Sequence, residues 1–124
     1  MELNKVIAFR NIYETLKNEK MSFKTAYNLK KLSDSAEEHF KFYTEELNKL
    51  INEYGAKDES GNFKFTEDGN SIQIKEDKLT ECLEKIDELE TLNVEVPNPK
   101  FSMDDFEKCK LSPEEAGLLM NFIG

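Results

Sequence analysis

An uninterrupted helical pattern runs from Ser22 to Gly55 and reads SFKTAYNLKKLSDSAEEHFKFYTEELNKLINEYG. Ser22 is a preferred N-cap residue, and Gly55 follows Tyr54 as a C-terminal capping glycine does. Between them, apolar or small residues recur at alternating steps of three and four, with no Gly or Pro. The pattern predicts one long helix with a heptad seam formed by Ala26, Leu29, Ser33, Ala36, Phe40, Tyr43, Leu47, Leu50 and Tyr54.

The length of this helix predicts that its seam needs a partner surface. At ~1.5 Å per residue the helix is about 50 Å long, whereas a domain of this size is about 30 Å across. The partner surface can come from the first helix, from the C-terminal helix or from a second copy of the chain. Because symmetric copies bury such seams together, we expect a homo-oligomer. The predicted interface consists of the large seam residues Phe40, Tyr43, Leu47, Leu50 and Tyr54.

The rest of the 124-residue chain predicts shorter helices and a small sheet. Helical spacing favours helices over residues 3–19, 76–92 and 113–122. Short alternating runs at 63–65 and 72–74 flank an Asp-Gly turn and predict an antiparallel β-hairpin, to which 94–96 adds a third strand. The predicted fold class is therefore α+β, in a single domain over 1–124. Its parts are a helical hairpin (1–55), then hairpin, helix and third strand (56–97), then a loop opening at Asn98-Pro99 and the C-terminal helix (98–124).

Composition excludes several classes of function. The chain has 26 acidic and 17 basic residues, a net charge of -9. This balance argues against direct nucleic-acid binding or membrane binding over the whole surface, since both favour positive charge. No apolar run approaches the length of a membrane span, and the N-terminus lacks the apolar stretch of a signal peptide. We therefore expect a cytoplasmic protein, and its two cysteines are too few for a disulfide framework.

The charge is unevenly distributed, which suggests a binding surface. Residues 17–31 contain five lysines but a single acid. Lys24, Tyr27 and Lys31 share one helical face, on which two ammonium groups can hold phosphate oxygens while the ring stacks on a base. Arg10 from the first helix is a candidate fourth member. The alternative is a solvated helix surface with Tyr27 buried beside Ala26. The acidic excess in residues 56–124 is open to three interpretations, as a mimic of nucleic acid, as a docking surface for a basic partner or as ordinary solubilising charge.

Catalytic and metal-binding patterns are missing from the sequence. His39 is the one histidine, and no activated nucleophile or second histidine accompanies it. Asp58-x-Ser60-x-Asn62 begins like a calcium loop but has Phe63 at the required glycine. We therefore predict no catalytic residues, no metal and no cofactor, and a protein that is not an enzyme.

Four segments resemble small proteins of phages and prophages from Gram-positive hosts, a family of unknown function. They are Lys24–Leu32, Leu50–Gly55, Lys57–Asn62 and Leu111–Glu115. The resemblance implies a viral origin and action in the host cytoplasm, and it transfers no functional residue. We expect a non-enzymatic accessory protein that antagonises bacterial immunity by sequestering a nucleotide-like signal or a host defence protein. The alternative is a virion-assembly or structural accessory protein.

Overall fold

The computed structural model describes residues 1–97 and 100–123, and within them the four predicted helices are present. They are α1 (Leu3–Leu16), α2 (Phe23–Tyr54), α3 (Leu79–Glu90) and α4 (Pro113–Leu119). Short 3-10 turns lie at Glu76–Lys78, Met103–Phe106 and Met120–Phe122. The loop predicted at Asn98-Pro99 lies outside the described residues. Among the helices described, none combines the length and hydropathy needed to cross a bilayer.

The predicted α+β fold class is wrong. The described residues are 62% helical and contain no β-strand or sheet. The two alternating runs do approach each other, but they form isolated antiparallel bridges rather than a hairpin ladder. Phe65 is bridged to Ile72, and Gly55 is bridged to Ile74. Segments of three residues are at the lower limit of strand length, below the usual length of about 5–6 residues, and leave little room for a run of consecutive pairs.

The predicted third strand at 94–96 is also absent. Its neighbour Asn93 instead forms an isolated bridge with Glu2, and the Val94 N–H donates to the Met1 carbonyl oxygen at 2.8 Å. The segment therefore pairs with the residues that precede α1 and contributes nothing to a sheet.

The chain forms two compact units, which we call the first unit (Met1–Lys41 with Leu92–Gly124) and the second unit (Phe42–Thr91). The core of the first unit is built from apolar faces of α1, the first half of α2 and the C-terminal segment. The Phe9 ring, fully buried, lies 5.0 Å from the Phe122 ring, centroid to centroid. The single domain predicted from the chain length stays a prediction. The core residues are Val6, Phe9, Ile12, Leu16, Leu29, Leu32, Ala36, Phe101, Phe106, Leu119 and Phe122.

Local sequence signals explain how α4 closes this core. The Ser112 hydroxyl accepts the Glu115 N–H at 3.2 Å, and the Glu115 carboxylate accepts the Ser112 N–H at 3.1 Å. This is a capping box, and Pro113 occupies the first helical position, where its missing N–H is no loss. The start of α4 is thereby fixed so that Leu119 is buried.

The second unit has a smaller buried centre, at the end of α2. Tyr54 and Cys82 are its buried side chains, and Gly55 adjoins them. A Cβ atom at Gly55 would lie 2.5 Å from the Ile51 carbonyl oxygen and 2.8 Å from the Phe63 ring. Glycine is therefore required where the loop leaves α2, and the unit depends on few buried side chains for its stability.

Candidate functional site

The start of α2 exposes one face and buries the other. Thr25, Leu29 and Leu32 are buried in the first unit, together with Ser33 and Ala36. The opposite side presents Phe23, Lys24, Tyr27 and Lys31 to solvent, and we call these four residues the α2 N-terminal face. This face includes the three α2 residues that the sequence predicted as a binding site.

Tyr27 is exposed, so the alternative in which it is buried beside Ala26 is wrong. Its side chain is 64% exposed, and Ala26 is itself exposed. The buried side of α2 is centred on Leu29 and Leu32, which places position 27 on the outer side of the helix. The ring is therefore accessible to a partner.

Phe23 is the residue that the sequence reasoning missed. It is 96% exposed and lies four residues before Tyr27, which in turn lies four before Lys31. Residues four apart lie on the same side of a helix, so the two rings and the ammonium group form one row. The available signal was a large apolar residue directly after the Ser22 cap and outside the seam that begins at Ala26.

The lysines of the face keep their charge available. The Lys31 Nζ lies 5.6 Å from the centre of the Tyr27 ring, a cation–π distance. Lys30, next to this row, is instead paired with Asp34 at 2.9 Å. Within residues 1–97 and 100–123, neither Lys24 nor Lys31 forms an ion pair. Two positive charges on this face therefore stay free for an acidic partner.

Arg10 is not brought to the other three predicted site residues. Its Nε donates to the Glu37 carboxylate at 2.7 Å, and its guanidinium lies 3.8 Å above the Phe40 ring. Glu37 is six residues beyond Lys31, about 9 Å further along the helix axis. The Arg10 charge is thus used within the chain, where it ties α1 to α2.

The five predicted interface residues already contact their own chain. Tyr54 is buried, and the other four are half-buried. The Tyr43 hydroxyl donates to the Glu90 carboxylate at 3.3 Å, and burial together with this carboxylate raises the pKa of Tyr43. Phe40 is covered by Arg10. Self-association through Phe40, Tyr43, Leu47, Leu50 and Tyr54 stays a prediction.

The side chains of the α2 N-terminal face project outward from the helix, with Phe23 96% and Tyr27 64% exposed. Two grooves of the first unit, of about 590 and 400 Å³, are lined by other residues. The larger follows the segment Asn93–Pro97, and the smaller lies between Ser22 and the turn that begins at Met103. Neither includes Lys24, Tyr27 or Lys31 among its lining residues. A row of exposed side chains on one helix does not enclose a small molecule, whereas it can contact another surface.

The surroundings of His39 and of the two cysteines, which lie outside this face, do not favour reactivity. The His39 Nε2 lies 2.8 Å from the Glu95 carbonyl oxygen, which requires the proton to be on that nitrogen. Burial raises the pKa of the Cys82 thiol, and burial together with Glu19 raises that of Cys109. Both thiols are therefore protonated near neutral pH and are poor nucleophiles. The described residues contain no group of three or more metal-ligating side chains.

Comparison with known proteins gives no relatives. No protein-family model, no curated protein and no solved structure matches the chain. The resemblance to phage and prophage proteins therefore stays a prediction, and the geometry of the α2 N-terminal face carries the functional argument.

Proposed function

We propose that this protein is a non-enzymatic phage accessory protein that binds a host defence protein in the host cytoplasm and so antagonises bacterial immunity. The observation that carries the binding role is the exposed row of Phe23, Tyr27 and Lys31 on α2. Single exposed apolar residues are common on protein surfaces. Aromatic rings are the side chains that the centres of protein interfaces favour, and lysines beside them suit the polar rim of an interface.

The exposure of these side chains favours a protein over a nucleotide-like signal as the ligand. A small ligand needs a concave site that covers most of its surface, whereas the Phe23 and Tyr27 rings project from a helix. A partner protein with an apolar pocket and acidic residues around it complements this face. The aromatic rings then supply affinity, while Lys24 and Lys31 guide the approach and set the orientation.

The phage setting of the proposal is supported by the resemblance of four segments, and the binding role is supported by the geometry. The alternative role in virion assembly uses the same face to dock a structural phage protein. The two roles differ in the partner, so a test in infected cells separates them.

Homo-oligomerisation is a second part of the proposal. Phe40, Leu47 and Leu50 are half-buried, so they retain surface that a second copy can cover. Copies with a net charge of -9 repel each other, and added salt should therefore strengthen the association. Light scattering at micromolar concentration should give a multiple of 14.4 kDa, and a monomer at low and high salt would contradict this part.

The binding role is tested by phage plating on bacteria that each carry one defence system. Cells that express the protein should allow a sensitive phage to form plaques on at least one strain. The Lys24→Glu/Lys31→Glu variant should no longer allow plaques to form, because it reverses the charge of the face. The control Lys5→Glu/Lys110→Glu makes the same charge change at exposed positions elsewhere and should still allow plaques to form.

Three outcomes would contradict the proposal. Equal plaque formation with both double variants would mean that the face is not the binding surface. Calorimetric titration with cyclic dinucleotides and ADP-ribose should show no binding; saturable binding that the Lys24→Glu/Lys31→Glu variant loses would make the ligand a nucleotide. If the unaltered protein is expressed normally but no strain allows plaques to form, the virion-assembly role would be favoured.

A further inference from the structure

The acidic excess of the chain belongs to the second unit. Phe42–Thr91 contains 14 acidic and six basic side chains, a net charge of -8, whereas the first unit has a net charge of -1. The sequence assigned this excess to residues 56–124, but residues 92–124 belong to the first unit. One small unit therefore carries almost all of the negative charge.

The helix α3 exposes apolar side chains in the middle of this charge. Leu79 is 45% exposed and Leu83 is 55% exposed, and they lie four residues apart on the same side of the helix. Ile86, half-buried, continues the row three residues later. We call Leu79, Leu83 and Ile86 the α3 stripe. Cys82, on an adjoining side of the helix, is buried, so α3 packs on its own unit with one side and exposes the stripe next to it.

The charged residues of α3 are divided between its two sides. Lys78 and Lys85 form ion pairs with Glu81 and Glu88, on the side away from the stripe. Asp87 follows Leu83 by four residues and so borders the stripe, whereas Glu84, three residues before Asp87, lies further round the helix, about 100° from Leu83. Both are exposed, and across residues 1–97 and 100–123 neither forms an ion pair. Asp87 is therefore an uncompensated carboxylate at the edge of the α3 stripe, and Glu84 is a second one further from it.

We propose that the α3 stripe binds a basic amphipathic helix of a partner protein. Such a helix presents apolar side chains at steps of three and four, which can pack against Leu79, Leu83 and Ile86. Lysines or arginines beside its apolar row complement Asp87 at the edge of the stripe and the net negative charge of the second unit. This surface is separate from the α2 N-terminal face, and its charge has the opposite sign.

Charge complementarity selects this occupant over others. A nucleic acid or an anionic membrane is repelled by a unit with a net charge of -8. A second copy would bring another such unit against the stripe, and its predicted seam lies on α2 instead. A basic helix reduces the repulsion within the unit when it covers the apolar side chains. The binding of such a helix is therefore favoured by the apolar stripe and by the negative charge of the unit.

The proposal is tested with the full chain and a fluorescent peptide of about 18 residues made of leucine and lysine. Its leucines follow steps of three and four, which place them on one helical face. A scrambled peptide of the same composition is the first control, and a peptide with glutamate in place of lysine is the second. We expect saturable binding of the amphipathic basic peptide, with an affinity about tenfold above that of the scrambled one.

Variants of α3 separate specific docking from general charge attraction. Leu79→Ser/Leu83→Ser and Glu84→Lys/Asp87→Lys should each weaken peptide binding about tenfold. Glu59→Lys/Glu67→Lys changes the charge of the second unit by the same amount at exposed loop positions, and it should have an effect of less than about threefold. All four altered positions of the α3 variants are exposed, and circular dichroism checks that the helix content is unchanged.

Three results would overturn the proposal. Equal loss by the two charge variants would show attraction to the whole unit instead of a site. Equal affinity for the amphipathic and scrambled peptides would show that the apolar row is not recognised. A lower mass of the Leu79→Ser/Leu83→Ser variant in light scattering would identify a second copy as the occupant.

Discussion

Replacement of the two exposed rings, Phe23→Ala/Tyr27→Ala, should leave the stability of the protein unchanged while it removes partner binding. Phe23 is 96% exposed, so its removal loses almost no buried surface. At position 27, loss of the Lys31 cation–π contact is worth about 0.5–1 kcal/mol, and the higher helix propensity of alanine returns about 0.5 kcal/mol. The net change in the free energy of unfolding should therefore lie within about 0.5 kcal/mol of zero.

A buried ring gives the comparison. Phe9 is fully buried and contacts Phe122, so Phe9→Ala should lower the free energy of unfolding by about 3–5 kcal/mol. A phenylalanine side chain is thus important for stability at position 9 but not at position 23. For partner binding we expect Phe23 to be the important residue of the two, since burying an exposed Phe ring against a partner contributes about 2 kcal/mol. Loss of this contribution weakens binding by about 30-fold.

Urea denaturation followed by circular dichroism measures the difference, at two protein concentrations. A loss above about 1.5 kcal/mol in Phe23→Ala/Tyr27→Ala would refute the reasoning, because it would mean that the rings are covered. If that loss grew with protein concentration, a second copy would be the cover. The control Phe65→Ala removes another exposed ring and should also leave stability unchanged.

Two further predictions concern stability. Ser112→Ala removes the hydroxyl that caps α4 and should lower the free energy of unfolding by about 1 kcal/mol in urea denaturation; no measurable change would mean that the cap is not formed. Burial raises the pKa of Cys82, and burial followed by Glu53 and Glu81 raises that of Tyr54. Both groups are uncharged when protonated, so their stabilisation is complete below the unfolded-state pKa and is lost as the pH rises through the folded-state pKa. Stability should therefore decline above about pH 9, and less so in Tyr54→Phe; an identical decline in that variant would contradict the assignment to Tyr54.

The helices were predictable because their signals are local. The spacing of Leu29 and Ala36 gives the buried side of α2, and the Ser112 capping box gives the start of α4. The sheet was not predictable, because alternation at 63–65 and 72–74 shows that a segment is extended but does not show how many pairs it forms. In the structure the pairing ends after isolated bridges.

The candidate site was predictable in part for a similar reason. Helical periodicity places Lys24, Tyr27 and Lys31 together, since they belong to one helix. Phe23 was missed because the seam was traced from Ala26 onward. Arg10 was misplaced because its partner, Glu37, is 27 residues away in the sequence, and such a long-range ion pair has no local signal.

Quantitative co-purification from host cells decides whether the α2 N-terminal face binds a partner. The tagged protein, Phe23→Ala/Tyr27→Ala, Lys24→Glu/Lys31→Glu and the control Lys5→Glu/Lys110→Glu are each purified, and the proteins bound to them are measured by mass spectrometry. We predict that one host protein is enriched with the unaltered chain and with the control, and that its yield falls by about 30-fold with either variant of the face. Recovery of the same proteins at equal yield from all four chains would contradict the binding role of this face.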